Sequence, residues 1–415
     1  MTPQEIALFV YNLTLFPIIL FSVMFLTLSL INLFIDKKEP APRPTTTRFP
    51  FVSIQIPTFN DPIALRCVRR CMQMDYPKDR YEIIIVDDST SRETQERLNA
   101  LADGKFVKFV HRENRDGFKP GALKKAMKQT LGEIIAIFDA DWIPHKDYLK
   151  EVVGPFSDPK VAVVQTRQGF YNHKTNLITR FAAYVLMSYH SIMMPINNRI
   201  NCVFFCGTGG AFRRSIFDEV GGWNLDSITE DSDLTVRMLV KGYKTVYLEL
   251  EHMSEVPDTF ESFIKQQMRW CYGNARVFFD NASSILFKSG LTIWQRLMIT
   301  FITVGNVIAP LVLLMTFFGL LGWFLGDPSL FMINDLFSVS VRFLVTGGFI
   351  FMGFITLYKR GRIRELPHYI LAAFSMGLLL AIWNTFAFTR AIFNKKLHWY
   401  CTPKAANTQI LKNAS

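Results

Sequence analysis

Apolar residues fall into three textures along this chain. Residues 9–35 are apolar without a single charge, more than the roughly 20 residues needed to cross a bilayer. From Val52 to Asp141, short apolar blocks alternate with stretches of helical spacing. Val52–Ile56, Tyr81–Val86, Phe106–His111 and the stretch from Ile134 read as strands, and Ala64–Met74, Glu93–Ala102 and Gly121–Thr130 as helices. Elements alternating at these lengths predict a parallel α/β sheet with right-handed crossovers. Loops, short helices and clustered glycines continue to about residue 290. From residue 297 the membrane texture returns: Leu297–Leu325 and Ser338–Tyr358 are long enough to cross, and Ile370–Trp383 is shorter.

The stretch Ile134–Asp141 (IIAIFDAD) organises the soluble region. Its five leading apolar residues suit a strand buried on both faces, and two carboxylates close it. In an extended chain Asp139 and Asp141 share a face, with Ala140 opposite. Open α/β sheets bind ligands beyond the carboxyl ends of their strands. Paired carboxylates there suit a hard divalent cation with a diphosphate; a solvated turn is the bland alternative. A second strand end, Val86-Asp87-Asp88-Ser89-Thr90, brings carboxylates to the same edge. Asp87 there suits hydrogen bonding to a base or ribose, and an Asx turn is its alternative.

Charge and composition orient this region. Half of the 415 residues are hydrophobic, 38 are Phe, and the formal charge is +11. No zinc-finger, basic-helix or RNA-binding signature accompanies that charge, so nucleic acid is not expected as a partner. Basic residues flank the apolar runs, which points to anionic headgroups and an anionic substrate. Lys37, Lys38, Arg43 and Arg48 after the first run place the amino terminus outside and the α/β region in the cytoplasm. Pro40–Thr47 reads as an extended linker. KRGRIR (359–364) and NKK (394–396) mark further cytoplasmic ends. Three later crossings would leave the tail outside, so 367–393, with Asn384, Thr385 and Arg390, is expected as a hairpin, re-entrant piece or interfacial helix. The expected division is therefore a 1–36 anchor, a 37–290 cytosolic catalytic domain, 291–393 transmembrane or interfacial helices and a 394–415 cytosolic tail. Cys67/Cys71 and Cys202/Cys206 lack companions for a zinc site and read as reduced thiols.

Four more stretches carry candidate chemistry. Arg115–Ala122 (RDGFKPGA) precedes a helix, and Lys119 there can reach a diphosphate. Phe205–Arg214 (FCGTGGAFRR) sets small residues where a sugar chain can pass, or forms a tight turn before a helix. Trp223 in Gly221-Gly222-Trp223 suits sugar stacking, though ordinary packing is the stronger reading. Ile228–Leu234 (ITEDSDL) concentrates acids at a helix start; Asp231 is read as a general base, Asp233 as a cap or solvent-facing residue. In Gln266–Trp270 (QQMRW), residues 266, 269 and 270 share a helix face. Arg269 offers a fork for a diphosphate and Trp270 a flat surface for a sugar, against an amphipathic surface helix as the alternative.

In chain order, IPTFND, VDDST, GFKPGALKKAM, FDAD, VQTRQGFYN, GTGGAFRR, GGW, TED and QQMRW resemble the membrane-integral members of glycosyltransferase family 2. The wording looks closest to cellulose-synthase-like mannan synthases, and the tail HWYCTPK is similar to that family's ending. The resemblance implies a GT-A type, Rossmann-like catalytic domain with flanking transmembrane helices and an inverting transfer from a nucleotide diphosphate sugar. By the same resemblance, Thr58, Asp87, Asp88, Lys119, Asp139, Gln266, Arg269 and Trp270 face the nucleotide donor. Asp139 and Asp141 would hold Mg2+ or Mn2+, with Asp231 as base beside Glu230. Phe205, Cys206, Gly207, Thr208 and Trp270 would border the acceptor. Asp61 stands where the family usually has Glu, and Pro120 where it has Ala.

The expected protein is a multi-pass enzyme of the plasma membrane, its catalytic domain cytoplasmic, transferring sugar of the UDP-glucose or GDP-mannose type to a growing β-linked polysaccharide. The lipid bilayer and a second copy of the chain are counted among its partners. A rival reading is a single transfer to a lipid: ceramide, diacylglycerol or polyprenyl phosphate. A transporter ranks last, because it requires ionisable residues deep in the spanning segments, whereas Asp335 and Arg342 sit near one end.

Overall fold

The computed structural model describes residues 1–34, 49–288, 290–326 and 346–397. The expected linker at 40–47 and the HWYCTPK tail lie outside those residues. A 32-residue helix, α1 (Pro3–Phe34), leads the chain. Next come β1 (Val52–Thr58), α2 (Ala64–Met72), β2 (Tyr81–Asp87), α3 (Arg92–Asn99), β3 (Val107–His111), α4 (Phe118–Met127) and β4 (Ile134–Ile137). The second half of the soluble region holds α5 (Tyr148–Val153), β5 (Val161–Phe170), α6 (Leu177–Ser188), α7 (Met194–Arg199), β6 (Gly210–Arg213), α8 (Arg214–Glu219), α9 (Glu230–Val240) and β7 (Lys244–Ser254). It ends in α10 (Phe260–Ser283), and α11 (Ile293–Val304), α12 (Ile308–Phe324), α13 (Gly348–Lys359) and α14 (Leu366–Ile392) come after it.

The seven strands form one sheet in the order β3-β2-β1-β4-β6-β5-β7. Strands β1 to β4 pair in parallel, as the alternating pattern predicts. Beyond the predicted strands, β6 runs antiparallel to both β4 and β5. Two helices, α6 and α7, separate β5 from β6, and β6 re-enters the sheet at Gly210 opposite Ile137, the last residue of β4. Strand β4 is buried on both faces. Ile134, Ala136 and the adjoining Phe138 join one core with Ile54, Ile83 and Trp142, while Ile135 and Ile137 join another with Leu123, Phe212 and Leu234.

Among the described residues, three helical segments are long and apolar enough to cross a membrane: Pro3–Phe34, Ile293–Phe324 and Ile363–Ile392. The second is interrupted by a short turn at Gly305–Val307. Of the expected span 338–358, residues 338–345 lie outside the described residues, and α13 is a shorter apolar helix. Helix α1 packs on α12 and α13, and α14 on α10 and α12. The approach of α1 to α13 is close: Gly348 N–H donates to Ser22 Oγ at 2.7 Å, and a β-carbon on Gly348 would meet the Ser22 carbonyl oxygen at 1.9 Å.

Of the alternatives expected for 367–393, the hairpin and the re-entrant piece give way to one continuous helix, α14, and the helical one is left. Its polar residues are accommodated within the helix. Thr385 Oγ1 donates to Ala381 O at 2.7 Å. Asn384 is buried, with Cys271 Sγ of α10 donating to its carbonyl. Arg390 falls in the last turn, where its guanidinium reaches the Lys396 carbonyl at 2.6 Å.

Candidate active site

One cavity of about 790 Å3 joins the carboxyl edge of the sheet to the apolar helices. Strand ends and loops supply its polar end, and α9 and α10 its flank. Asp139, Asp141, Lys119, Glu230, Asp231, Gln266, Arg269 and Trp270 all line it, as do Thr58, Asp88, Phe205, Cys206 and Thr208. Residues far apart in sequence are thus brought to one chamber.

The two acids after β4 reach it by a turn, not by the extended alternation expected. The strand ends at Ile137, and Trp142 N–H donates back to Asp139 O at 3.0 Å. Asp139 N–H donates to Thr208 Oγ1 at 2.9 Å, which ties this turn to the loop before β6. Asp141 is 1 % exposed and accepts from the Glu255 N–H at 2.7 Å. Arg66 Nη2, buried beneath, donates to Asp141 O at 3.2 Å and to Tyr171 Oη at 3.0 Å, and that hydroxyl donates to Glu255.

Lys119 is the countercharge of the acid cluster. Its Nζ lies 2.6 Å from Asp139 Oδ1 and donates to Gly207 O at 2.9 Å. Burial works against its charge, but Asp139, Glu230 and Asp231 outweigh burial and hold its pKa above the ordinary lysine value. Burial also pushes Glu230 up to about 7, helped by Asp231 and opposed by Lys119 and Arg269. Asp231 is raised by burial against the pull of Lys119 and of the Ser232 N–H, which donates to Oδ1 at 2.8 Å. A carboxylate so placed holds a proton more tightly than an exposed one, as a general base needs.

Gly207 packs directly against this cluster. Its φ is +71°, and a β-carbon there would stand 2.7 Å from Asp231 Oδ2 and 3.5 Å from Lys119 Nζ. On α10, Gln266, Arg269 and Trp270 do share the cavity face, with Gln267 and Asn274 beside them. Gln266 Oε1 has no hydrogen-bond partner among the described residues.

Several expected residues sit elsewhere. Asp87 is absent from the cavity lining: it accepts from Ser89 Oγ at 2.5 Å and pairs with His111 Nδ1 at 2.8 Å across β2 and β3. Its neighbour Asp88 faces the cavity and is held by Arg112, whose Nε donates at 2.6 Å. Asp233, expected as a cap or solvent-facing, is instead buried and paired with Arg237 Nη2 at 2.8 Å. Trp223 packs in the core between Phe212 and Phe217, at ring separations of 5.5 and 5.2 Å. Other lining residues have no role assigned from sequence: Phe59 with Arg115 stacked 3.4 Å over its ring, Gln168, His190, Glu255 and Asn306. In the sequence, Arg115 is signalled by its place in the glycine-rich turn, and Phe59 and Gln168 only by falling within IPTFND and VQTRQGFYN.

The donor set fits a hard cation. Asp139 and Asp141 bring carboxylate oxygens to one chamber. Among the described residues no group of three or more His, Cys, Asp or Glu side chains is placed to hold a metal. Two carboxylates with remaining ligands from phosphate and water is the ordinary arrangement for Mg2+.

The family described as glycosyl transferase family group 2 matches residues 134–384. A glucomannan 4-beta-mannosyltransferase of Arabidopsis thaliana is 34 % identical over 279 residues, 64 % of this chain and 52 % of that protein. A probable glucomannan 4-beta-mannosyltransferase of rice, Oryza sativa subsp. japonica, is 33 % identical over 278 residues, 63 % of this chain and 50 % of the relative. The chain spans about half the length of the curated relatives it matches. Among solved structures, a mannosyltransferase from Pyrobaculum calidifontis in complex with GDP-Man and Mn2+ superposes with a TM-score of 0.64. It is 18 % identical and covers 95 % of this chain and 100 % of its own, a likeness of fold. With the family matched across β4, the acid cluster, the QQMRW helix and the helices behind them, this chain belongs to glycosyltransferase family 2.

Proposed function

We propose that this chain is an inverting, membrane-embedded β-mannosyltransferase that uses a nucleotide diphosphate sugar, GDP-mannose foremost, and extends a β-linked polysaccharide. The observation that carries this reading is the single cavity, which runs from Asp139, Asp141 and Asp231 past Trp270 into the apolar helices. The names of the relatives support mannose and the β-linkage, and the complex held by the structural neighbour supports GDP-mannose and a divalent cation.

In this reading Asp139 and Asp141 hold Mg2+ or Mn2+, which when bound neutralises charge on the departing nucleoside diphosphate. Thr58 and Asp88, with Asp87 behind them, border the nucleoside. Arg269 and Lys119 face the diphosphate, with Gln266 alongside. Asp231 takes the proton of the acceptor hydroxyl as that oxygen attacks the anomeric carbon from the face opposite the leaving group, and Glu230 tunes its charge. Attack from that face turns an α-linked donor into a β-linked product. Phe205, Cys206, Gly207 and Thr208 border the acceptor, and Trp270 offers it a ring face. The soluble domain lies on the cytoplasmic side of the plasma membrane, anchored by residues 1–36 and 291–393.

One observation favours a lipid acceptor as the second reading. The membrane end of the cavity is lined by Phe25, Phe301, Ile308, Val312, Phe349 and Phe374, a surface suited to an alkyl or polyprenyl chain. A panel of nucleotide sugars, read out as released nucleoside diphosphate and then by product sizing, tests both. A ladder of insoluble or oligomeric mannan supports the first reading, and one organic-soluble product supports the second. No release from any nucleotide sugar overturns both.

A further inference from the structure

Lys119 is joined to a residue that a cation would need. It projects from the first turn of α4, and its ammonium lies 2.6 Å from Asp139 Oδ1 while donating to Gly207 O at 2.9 Å. Glu230 and Asp231 add their fields to that position. An ammonium and a divalent cation are both hard point charges seeking the same carboxylate oxygen, and they repel each other when both sit on it.

The protein offers a lone cation little in return for breaking that ion pair. Asp141 already accepts the Glu255 N–H with one oxygen, and no larger cluster of metal-binding side chains exists among the described residues. A nucleoside diphosphate changes both sides of the exchange. Its phosphate oxygens supply the missing ligands, and they give the Lys119 ammonium an anionic partner within reach, which frees Asp139 Oδ1.

We propose that Lys119 is a resident countercharge for Asp139, displaced only when a diphosphate arrives, so that cation and donor enter the site as one unit. The inference rests on the nucleotide-donor reading above. It makes Lys119 a positioning residue for the cation as well as a contact for the diphosphate. A lysine with a purely structural role would instead leave nucleotide-free cation binding no tighter when its ammonium is removed.

The test is a Mn2+ titration of the detergent-purified full chain, following free Mn2+ by electron paramagnetic resonance, alone and with saturating GDP or UDP. Wild-type protein is expected to bind Mn2+ about tenfold or more tightly once the nucleotide is present, and Mn2+ must tighten the nucleotide by the same factor. K119M is expected to bind Mn2+ without nucleotide about tenfold more tightly than wild type and to keep only the share of linkage that the phosphate ligands supply, whereas K119R keeps it all. Equal Mn2+ affinity with and without nucleotide in the wild type overturns the inference, as does K119M binding Mn2+ no more tightly than wild type. Should K119M fail to fold, K119Q supplies the same nucleotide-free comparison with wild type. Nucleotide binding without linkage sinks only the exchange; failure of both GDP and UDP to bind with Mn2+ sinks the donor reading as well.

Discussion

Gly207 and Asp231 face each other so closely that a β-carbon on the glycine would stand 2.7 Å from Asp231 Oδ2. The glycine also holds φ at +71°, a conformation that costs other residues about 1–2 kcal/mol. Gly207→Ala is therefore predicted to push the carboxylate off its position, lowering transfer by about tenfold or more. It should also destabilise the fold by about 1 kcal/mol. Initial rates of nucleoside diphosphate release and a thermal melt check the two effects separately; an unchanged rate would show that Asp231 works from another position.

Asp231→Asn is predicted to cost about 100-fold or more in transfer, because the amide cannot accept the acceptor proton. Asp139→Asn is predicted to cut transfer and to raise the concentration of Mn2+ needed for half-maximal rate. Both are read in purified membranes with a labelled donor, and full activity in either variant refutes the assigned role.

The acid pair gives activity and stability opposite pH slopes. Glu230 is pushed up to about 7 and Asp231 is also raised; the two titrate together. The folded protein therefore binds protons that the unfolded chain has released, so this share of stability is present at low pH and fades as pH rises through about 7. Activity should rise over the same interval, as the pair ionises. In Glu230→Gln the acid limb of kcat/KM should move to lower pH and the stability slope should flatten; rates and melting temperatures across pH provide the comparison.

Asn384 is a buried amide in a helix long enough to span a membrane, and it lines the cavity beside α10. Its Oδ1 has no partner among the described residues. Polar side chains at such depth commonly mark a substrate path. Asn384→Leu is predicted to stabilise the protein by about 1 kcal/mol, since an unsatisfied polar group is removed. Shorter or fewer products, with donor hydrolysis to water unchanged, would place a saccharide there. Product sizing against released nucleotide measures this, and an unaltered product distribution would exclude Asn384 from the path.

Periodicity made parts of the fold and site legible. Strand β4, buried on both faces, and the α10 face bearing Gln266, Arg269 and Trp270 emerge from spacing alone. The adjacent acids 87 and 88 could not be sorted that way. A strand tells that neighbours point apart, but not which side holds the cavity; that depends on His111 in β3 and Arg112 after it. The burial of Asp233 is set by Arg237 one helical turn later, a pairing that the acid-rich run around it conceals. For 367–393 the sequence leaves a helix beside a hairpin or re-entrant piece, because Asn384 and Thr385 are polar in an apolar stretch and only packing shows α10 and the helix's own carbonyls absorbing them. Nothing local marks β6 as antiparallel, since that direction is set by where α6 and α7 return the chain.

The reversal of β6 binds two jobs together. Because Gly210 opens that strand opposite Ile137, the loop just before it is pinned over the turn carrying Asp139, through Gly209 N–H to Ile137 O and Asp139 N–H to Thr208 Oγ1. Lengthening or reshaping this loop would therefore drag the Asp139 carboxylate with it, so the two can change only together.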